Sequence, residues 1–191
     1  MESLEKLFGS AVRLKLIKLF LYNPKLAFTS SEAASRVRVA TSVARKEIDE
    51  LERAGLVKKG RSRKGNSNNW MRSPSCDYAE PLETFLTAIE SSDHKDIANK
   101  LSKAGKIQLL FLSGFFIRNA EARVDMFIVG DNFSKNALSK IVSSIESEMG
   151  REIRYAFFST ADFKYRYSMF DKLIRDVLDF PHKKIVNKIG I

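Results

Sequence analysis

The stretch "TSVARKEIDELERAGLVKK", Thr41 to Lys59, sets out a helix, its stop and the start of a strand in one short run. Val43, Ala44, Glu47, Ile48 and Leu51 recur at helical steps, and Val43, Ile48 and Leu51 are the expected core contacts. Thr41 or Ser42 can cap the helix. Gly55 stands where a helix end calls for a residue that tolerates the left-handed region. "LVKK" and then "NNWMRS" read as short strands flanking "GRSRKGNS", which makes a β-hairpin with a basic, glycine-containing tip. Ser42, Arg45, Lys46 and Asp49 share the helix face turned away from the apolar one. Trp70 is expected to pack beneath the hairpin.

Two more helices are expected upstream. "SLEKLFGSAVRLKLIKLFLYNP" places Leu4, Leu7, Phe8, Ala11, Val12, Leu16, Leu19 and Phe20 at three- and four-residue steps, with Lys15 and Lys18 on the other side and Asn23-Pro24 as the stop. "TSSEAASRVR" is a short helix that Thr29 or Ser30 can cap, with Glu32 near its positive end, and a turn follows at Arg38 to Ala40.

Charge separates the chain. Of the formal net +10, residues 36–72 carry +7 (eleven basic, four acidic), whereas residues 73–191 carry +1 (seventeen basic, sixteen acidic). A basic module joined to a near-neutral one is the balance of a nucleic-acid-binding segment fused to another domain. With one cysteine, Cys76, and two histidines, His94 and His182, a Cys/His zinc site is not expected. The lone cysteine favours a reducing cytoplasm. "IQLLFLSGFFI" is too short to span a bilayer, and "MESLEKLFGS" lacks the basic and apolar regions of a signal peptide, so no membrane partner is expected.

Helix, helix, helix and hairpin, carried by "LFGSAVRLKLIKLFLYNP" and "EIDELERAGLVKK", resemble the ArsR/MarR-like winged helix-turn-helix of transcription factors over about residues 4–73. The resemblance implies a recognition helix in the DNA major groove and a wing on the backbone or minor groove. Arg45 and Lys46 would then reach base edges or phosphates, and Thr41 and Ser42 would meet phosphate at the helix N-terminus. Lys58, Lys59, Arg61, Arg63, Lys64 and Asn66 would form the wing's contacts.

From Pro74 the pattern changes. A connecting helix from about Glu80 to Glu90 carries Leu82, Phe85, Leu86 and Ile89 as an apolar stripe, either for pairing two chains or for packing on its own C-terminal half. Beyond it, strands "KIQLLFLSG", "ARVDMFIVGD" and "REIRYAFFS" alternate with helices "SKNALSKIVSSIESEMG" and "DFKYRYSMFDKLIRDVLDF". "PHKKIVNK" reads as a solvated tail. Tyr155, Tyr165 and Tyr167 are expected in core packing rather than around a pocket.

Over about residues 106–180, "LLFLSGFF", "RVDMFIVGD", "LSKIVSSIESEMGREIRYAFFST" and "DFPHKKI" resemble the minimal nucleotidyltransferase fold. Active members hold the triphosphate on a Gly-Ser pair and magnesium on Asp-x-Asp. Here the pair is reversed as Ser113-Gly114, and the acidic motif reads Arg123-Val124-Asp125. Alternate strand residues face one side ~6–7 Å apart, so Arg123 is expected to pair with Asp125, and Asp131 lies ~20 Å further along. Magnesium-assisted transfer needs several carboxylates. A vestigial nucleotide site of Ser113, Gly114, Arg123 and Asp125, without catalysis, metal or cofactor, is therefore the expectation.

The sequence thus indicates an α+β chain: a winged helix-turn-helix over 1–75, a linker helix region over 76–105 and a degenerate nucleotidyltransferase-like α/β domain over 106–191. The expected function is transcriptional regulation by a homodimer bound to double-stranded DNA, with a small-molecule or nucleotide effector as a further partner for the second half. The alternatives are an active magnesium-dependent nucleotidyltransferase targeted by its winged helix, and an RNA-binding or interaction module.

Overall fold

The structure is a computed structural model that describes residues 2–60, 69–90 and 94–191. It is a mixed α and β chain in two compact units, Met1–Thr87 with Ser144–Glu152, and Ala88–Ser143 with Ile153–Ile191. Among the described residues, no helix is long and apolar enough to cross a membrane.

In the first unit the expected leading helix is two, α1 (Glu2–Leu7) and α2 (Ala11–Tyr22). Gly9 breaks it at φ +77°, and Ser10 caps α2, its hydroxyl accepting from Arg13 N–H. Leu14, Leu16, Ile17, Leu19, Phe20 and Leu21 are all buried, so α2 is apolar around its whole girth rather than along one stripe. Lys18, expected outward, is therefore buried as well, and its Nζ donates to Glu148 O at 3.1 Å within the same unit. A buried ammonium is tolerable only with such acceptors.

Helix α3 (Ser30–Val37) begins with the expected Thr29 cap, completed as a capping box by Glu32. Arg38 closes it in the left-handed region at φ 59°, and α4 (Thr41–Arg53) follows immediately after this turn. Ala44, Ile48 and Leu51 form the buried face of α4, whereas Val43, expected inside, is exposed. Gly55 adopts φ +78° after α4, as its position demands. Strands β2 (Val57–Gly60) and β3 (Asn69–Arg72) pair antiparallel, with Lys59 opposite Trp70. A two-residue strand unforeseen in the sequence, β1 (Phe28–Thr29), adds to β3 and gives the order β1-β3-β2. Trp70 is fully buried beneath this sheet. Helix α5 (Ala79–Glu90) sends Leu82 and Leu86 into the core formed by α2, α3 and α4. Phe85 and Ile89, the other two members of the expected stripe, are exposed.

The second unit is built on a four-stranded sheet in the order β6-β5-β4-β7. Its strands are β4 (Lys106–Leu112), β5 (Met126–Asp131), β6 (Tyr155–Phe158) and β7 (Lys183–Asn187), preceded by α6 (Lys95–Ser102). Helix α7 (Lys135–Met149) is the crossover between the parallel neighbours β5 and β6. The segment read as one helix is broken into α8 (Thr160–Ser168) and α9 (Lys172–Asp179), with Phe170 at φ 55° and Asp171 capping α9 through two N–H groups. Leu109, Phe111, Phe127 and Val129 turn one sheet face toward Phe163, Ile174 and Val177 of α8 and α9. The basic "KKIVN" run is not a solvated tail: it pairs antiparallel with β4 as an edge strand. Tyr155, Tyr165 and Tyr167 are exposed rather than in the core.

Candidate nucleic-acid interface and the Asp125 seat

The outward face of α4 shows how its side chains are apportioned. Ala40 is the N-cap and no side chain caps the helix. Thr41 and Ser42, expected as caps, are instead exposed in the first turn of the helix. Each of the four acidic side chains of α4 is held: Glu47 by Arg13 at 2.8 Å, Asp49 by Arg45 at 2.9 Å, Glu50 by Arg53 at 2.6 Å, and Glu52 by Trp70 Nε1 at 3.3 Å. The Arg45 guanidinium also lies 4.3 Å from the centre of the Trp70 ring, so it is oriented by an ion pair and a cation–π contact together. Lys46 is exposed and has no ion-pair partner among the described residues, and the same holds for Lys58 and Lys59 on β2. Arg61, Arg63, Lys64 and Asn66 lie outside the described residues. Thr41, Ser42, Arg45 and Lys46 thus lie together in the first turns of α4, and Lys58 and Lys59 follow on the hairpin that leaves it.

In the second unit the expected pairing of Arg123 with Asp125 does not occur. Both residues precede β5, which begins at Met126, so the two-residue strand alternation does not apply to them. Arg123 pairs with Asp176 of α9 at 2.5 Å. Asp125 is 1% exposed and is gripped by Arg154, with Nε to Oδ2 at 3.1 Å and Nη2 to Oδ1 at 3.0 Å. Its carboxylate also accepts the backbone N–H of Phe115 and of Arg154, each at 2.9 Å. Burial pushes this carboxyl up, but the hydrogen bonds from Arg154 and Phe115 outweigh it and hold Asp125 below the ordinary carboxylate value. The parallel register that sets Met126 beside Tyr155 brings Arg154 to Asp125.

The Ser113-Gly114 pair is spent on the segment that carries this carboxylate. Ser113 N–H donates to Asp125 O, and its hydroxyl donates to Val124 O. Gly114, at φ +55°, opens a one-turn 3-10 helix, and a Cβ there would stand 2.1 Å from Asp125 Oδ1. The main-chain donor after the glycine thus meets the protein's own carboxylate. Asp125 has no side-chain oxygen left without hydrogen-bond donors, which is the arrangement of a structural rivet rather than of a metal ligand. Among the described residues, no three His, Cys, Asp or Glu side chains converge as metal ligands.

Asp131 is engaged locally as well: it accepts Thr160 N–H at 3.0 Å and Thr160 Oγ1–H at 2.6 Å, and these bonds hold its carboxyl low. A cavity of about 430 Å³ opens beside the seat, lined by Ser113, Arg123, Val124, Asp176, Val177 and Phe180 among others. Its size suits a small ligand. The expected nucleotide set therefore divides, with Ser113 and Arg123 on the cavity wall and Gly114 and Asp125 in the closed seat. The part of Arg154 as partner of Asp125 was hidden in the sequence, because the two stand 29 positions apart and meet only through the pairing of β5 with β6. Comparison with protein-family models, with curated proteins and with solved structures finds no match to this chain.

Proposed function

We propose that this chain is a cytoplasmic transcriptional regulator that binds double-stranded DNA as a homodimer through a winged helix. The supporting observation is the N-terminal face of α4. Its hydroxyls and Lys46 are exposed, its acids are each held by a neighbour, and the next element is a hairpin with exposed Lys58 and Lys59. In this reading α4 enters the major groove, Lys46 and the remaining N–H groups of Arg45 contact bases or phosphates, and Thr41 and Ser42 meet phosphate. The hairpin's lysines neutralise the backbone. The second unit is a nucleotidyltransferase-like scaffold that no longer transfers nucleotides. Its one carboxylate in the motif position is saturated by Arg154 and main-chain donors, and it serves pairing or ligand sensing.

Fluorescence anisotropy with a labelled random duplex, competed by unlabelled duplex or by RNA of equal length, tests this directly. Duplex is expected to compete the better, with affinity falling steeply as salt rises. RNA competing as well as or better than duplex would overturn the reading. Incubation with magnesium and labelled nucleoside triphosphates is expected to give no transfer product.

A further inference from the structure

The four-stranded sheet of the second unit ends in two strands of opposite character. β7 carries Lys183 and Lys184, both exposed, with Pro181 just before it. Charges and proline are the devices that keep a sheet edge from pairing with another chain. β6 reads Tyr-Ala-Phe-Phe, carries no charge, and buries none of its four residues fully; Tyr155 is 40% exposed. Two copies of β7 would set lysines against lysines, whereas two copies of β6 meet without charge.

The pairing with β5 fixes what β6 can offer. Met126 N–H donates to Arg154 O, and the parallel register continues from Met126↔Tyr155 to Val129↔Phe158. Main-chain groups of alternate residues point to one neighbour. Those of Arg154, Ala156 and Phe158 turn to β5, so those of Tyr155 and Phe157 turn outward. We propose that β6 pairs antiparallel with β6 of a second copy of this chain, about a two-fold axis at Ala156, joining two sheets into one of eight strands. Tyr155 then faces the partner's Phe157 and exchanges both main-chain hydrogen bonds with it, and the symmetric pair does the same. Ala156 meets its own copy at the non-hydrogen-bonded position, where Cα atoms approach to about 4.5 Å. The smallest side chain of the strand stands at the point of closest approach. On the other face, Tyr155 and Phe157 form cross-strand aromatic pairs. The inference deepens the homodimer reading by naming its surface, and it is independent of whether the chain binds DNA.

Tyr155→Pro removes an outward N–H, leaves the bonds to β5 in place, and puts proline at the first position of an edge strand, where it is tolerated. Sedimentation equilibrium of the full chain without DNA is expected to give two chains per particle for the wild type and one for Tyr155→Pro, with an unchanged circular dichroism spectrum. A second pair of variants decides the matter should Tyr155→Pro lose its fold. In a Cys76→Ser background, Ala156→Cys is expected to oxidise to a covalent dimer, because that Cα separation suits a disulfide. Tyr155→Cys, offset from its copy across the axis, is expected to cross-link at least tenfold more slowly. A monomeric wild type, a folded Tyr155→Pro that remains dimeric, or equal cross-linking at both positions would overturn the proposal. DNA affinity measured on the same samples reports separately on the regulator reading.

Discussion

Asp125→Ala is expected to destabilise the second unit by about 3 kcal/mol, from the loss of a buried carboxylate that satisfies several donors at once. Four N–H groups lose their acceptor in this variant: two from the Arg154 guanidinium and the backbone N–H groups of Phe115 and Arg154. The guanidinium is about half exposed and regains water, which keeps the cost below that of a fully buried orphaned charge. The two backbone groups contribute the larger part. Gly114→Ala is expected to act through the same point, since its Cβ would overlap Asp125 Oδ1 and its φ of +55° disfavours a side chain. Chemical denaturation of the full chain, followed by fluorescence and circular dichroism, reads both.

The pH dependence has a definite sign. The folded Asp125 pKa lies below its unfolded value, taken as about 3.9. The stabilisation is therefore complete above that value and is lost as pH falls through the folded pKa. The stability difference between wild type and Asp125→Ala should hold from neutrality to about pH 5 and shrink below about pH 4. A difference that is unchanged across this range would show that Asp125 is not the ionised partner of Arg154. Nucleotide transfer by the wild type, abolished in Asp125→Asn with stability retained, would assign the carboxylate a catalytic role and sink the scaffold reading.

The second large effect is expected on DNA. Lys46, Lys58 and Lys59 replaced together by alanine should weaken duplex binding roughly 10²–10³-fold near 0.1 M salt, if each contacts one phosphate. The slope of log affinity against log salt should become shallower by about 2.7. Random and preferred duplexes should suffer alike, because phosphate contacts carry no sequence information. Arg45→Ala should behave differently. Its guanidinium is held in place by Asp49 and Trp70, so its loss should fall more heavily on the preferred duplex. Equal losses on both would remove Arg45 from base recognition, and an unchanged salt slope in the triple variant would remove the three lysines from the interface.

Much of the first unit was legible because its signals are local. The Thr29–Glu32 box, Gly55 after α4 and the lysines flanking a hairpin each declare themselves within a few residues. Gly9-Ser10 was a readable break that the apolar steps on either side concealed. Lys18 escaped because its burial depends on α2 being enclosed all round, which a single apolar stripe does not announce. The two-residue β1 is too short to show any period, and it exists only because β3 offers an edge. In the second unit, Arg123 and Asp125 looked like strand neighbours until the strand proved to start at Met126. The true partner, Arg154, is separated by 29 positions and is brought in by the β5–β6 register. "KKIVNK" has no clean alternation, so its place beside β4 came from tertiary pairing.

In the proposed regulator, the basic face of α4 and its hairpin read duplex DNA for a two-fold dimer. Selection of binding sites from a random duplex pool by the full chain puts this reading to the test. The selected pool is expected to be enriched in an inverted repeat whose half-sites are centred about 10 base pairs apart, one helical turn, or a multiple of it. A selected pool with no sequence enriched over the starting one would rule out base reading by α4.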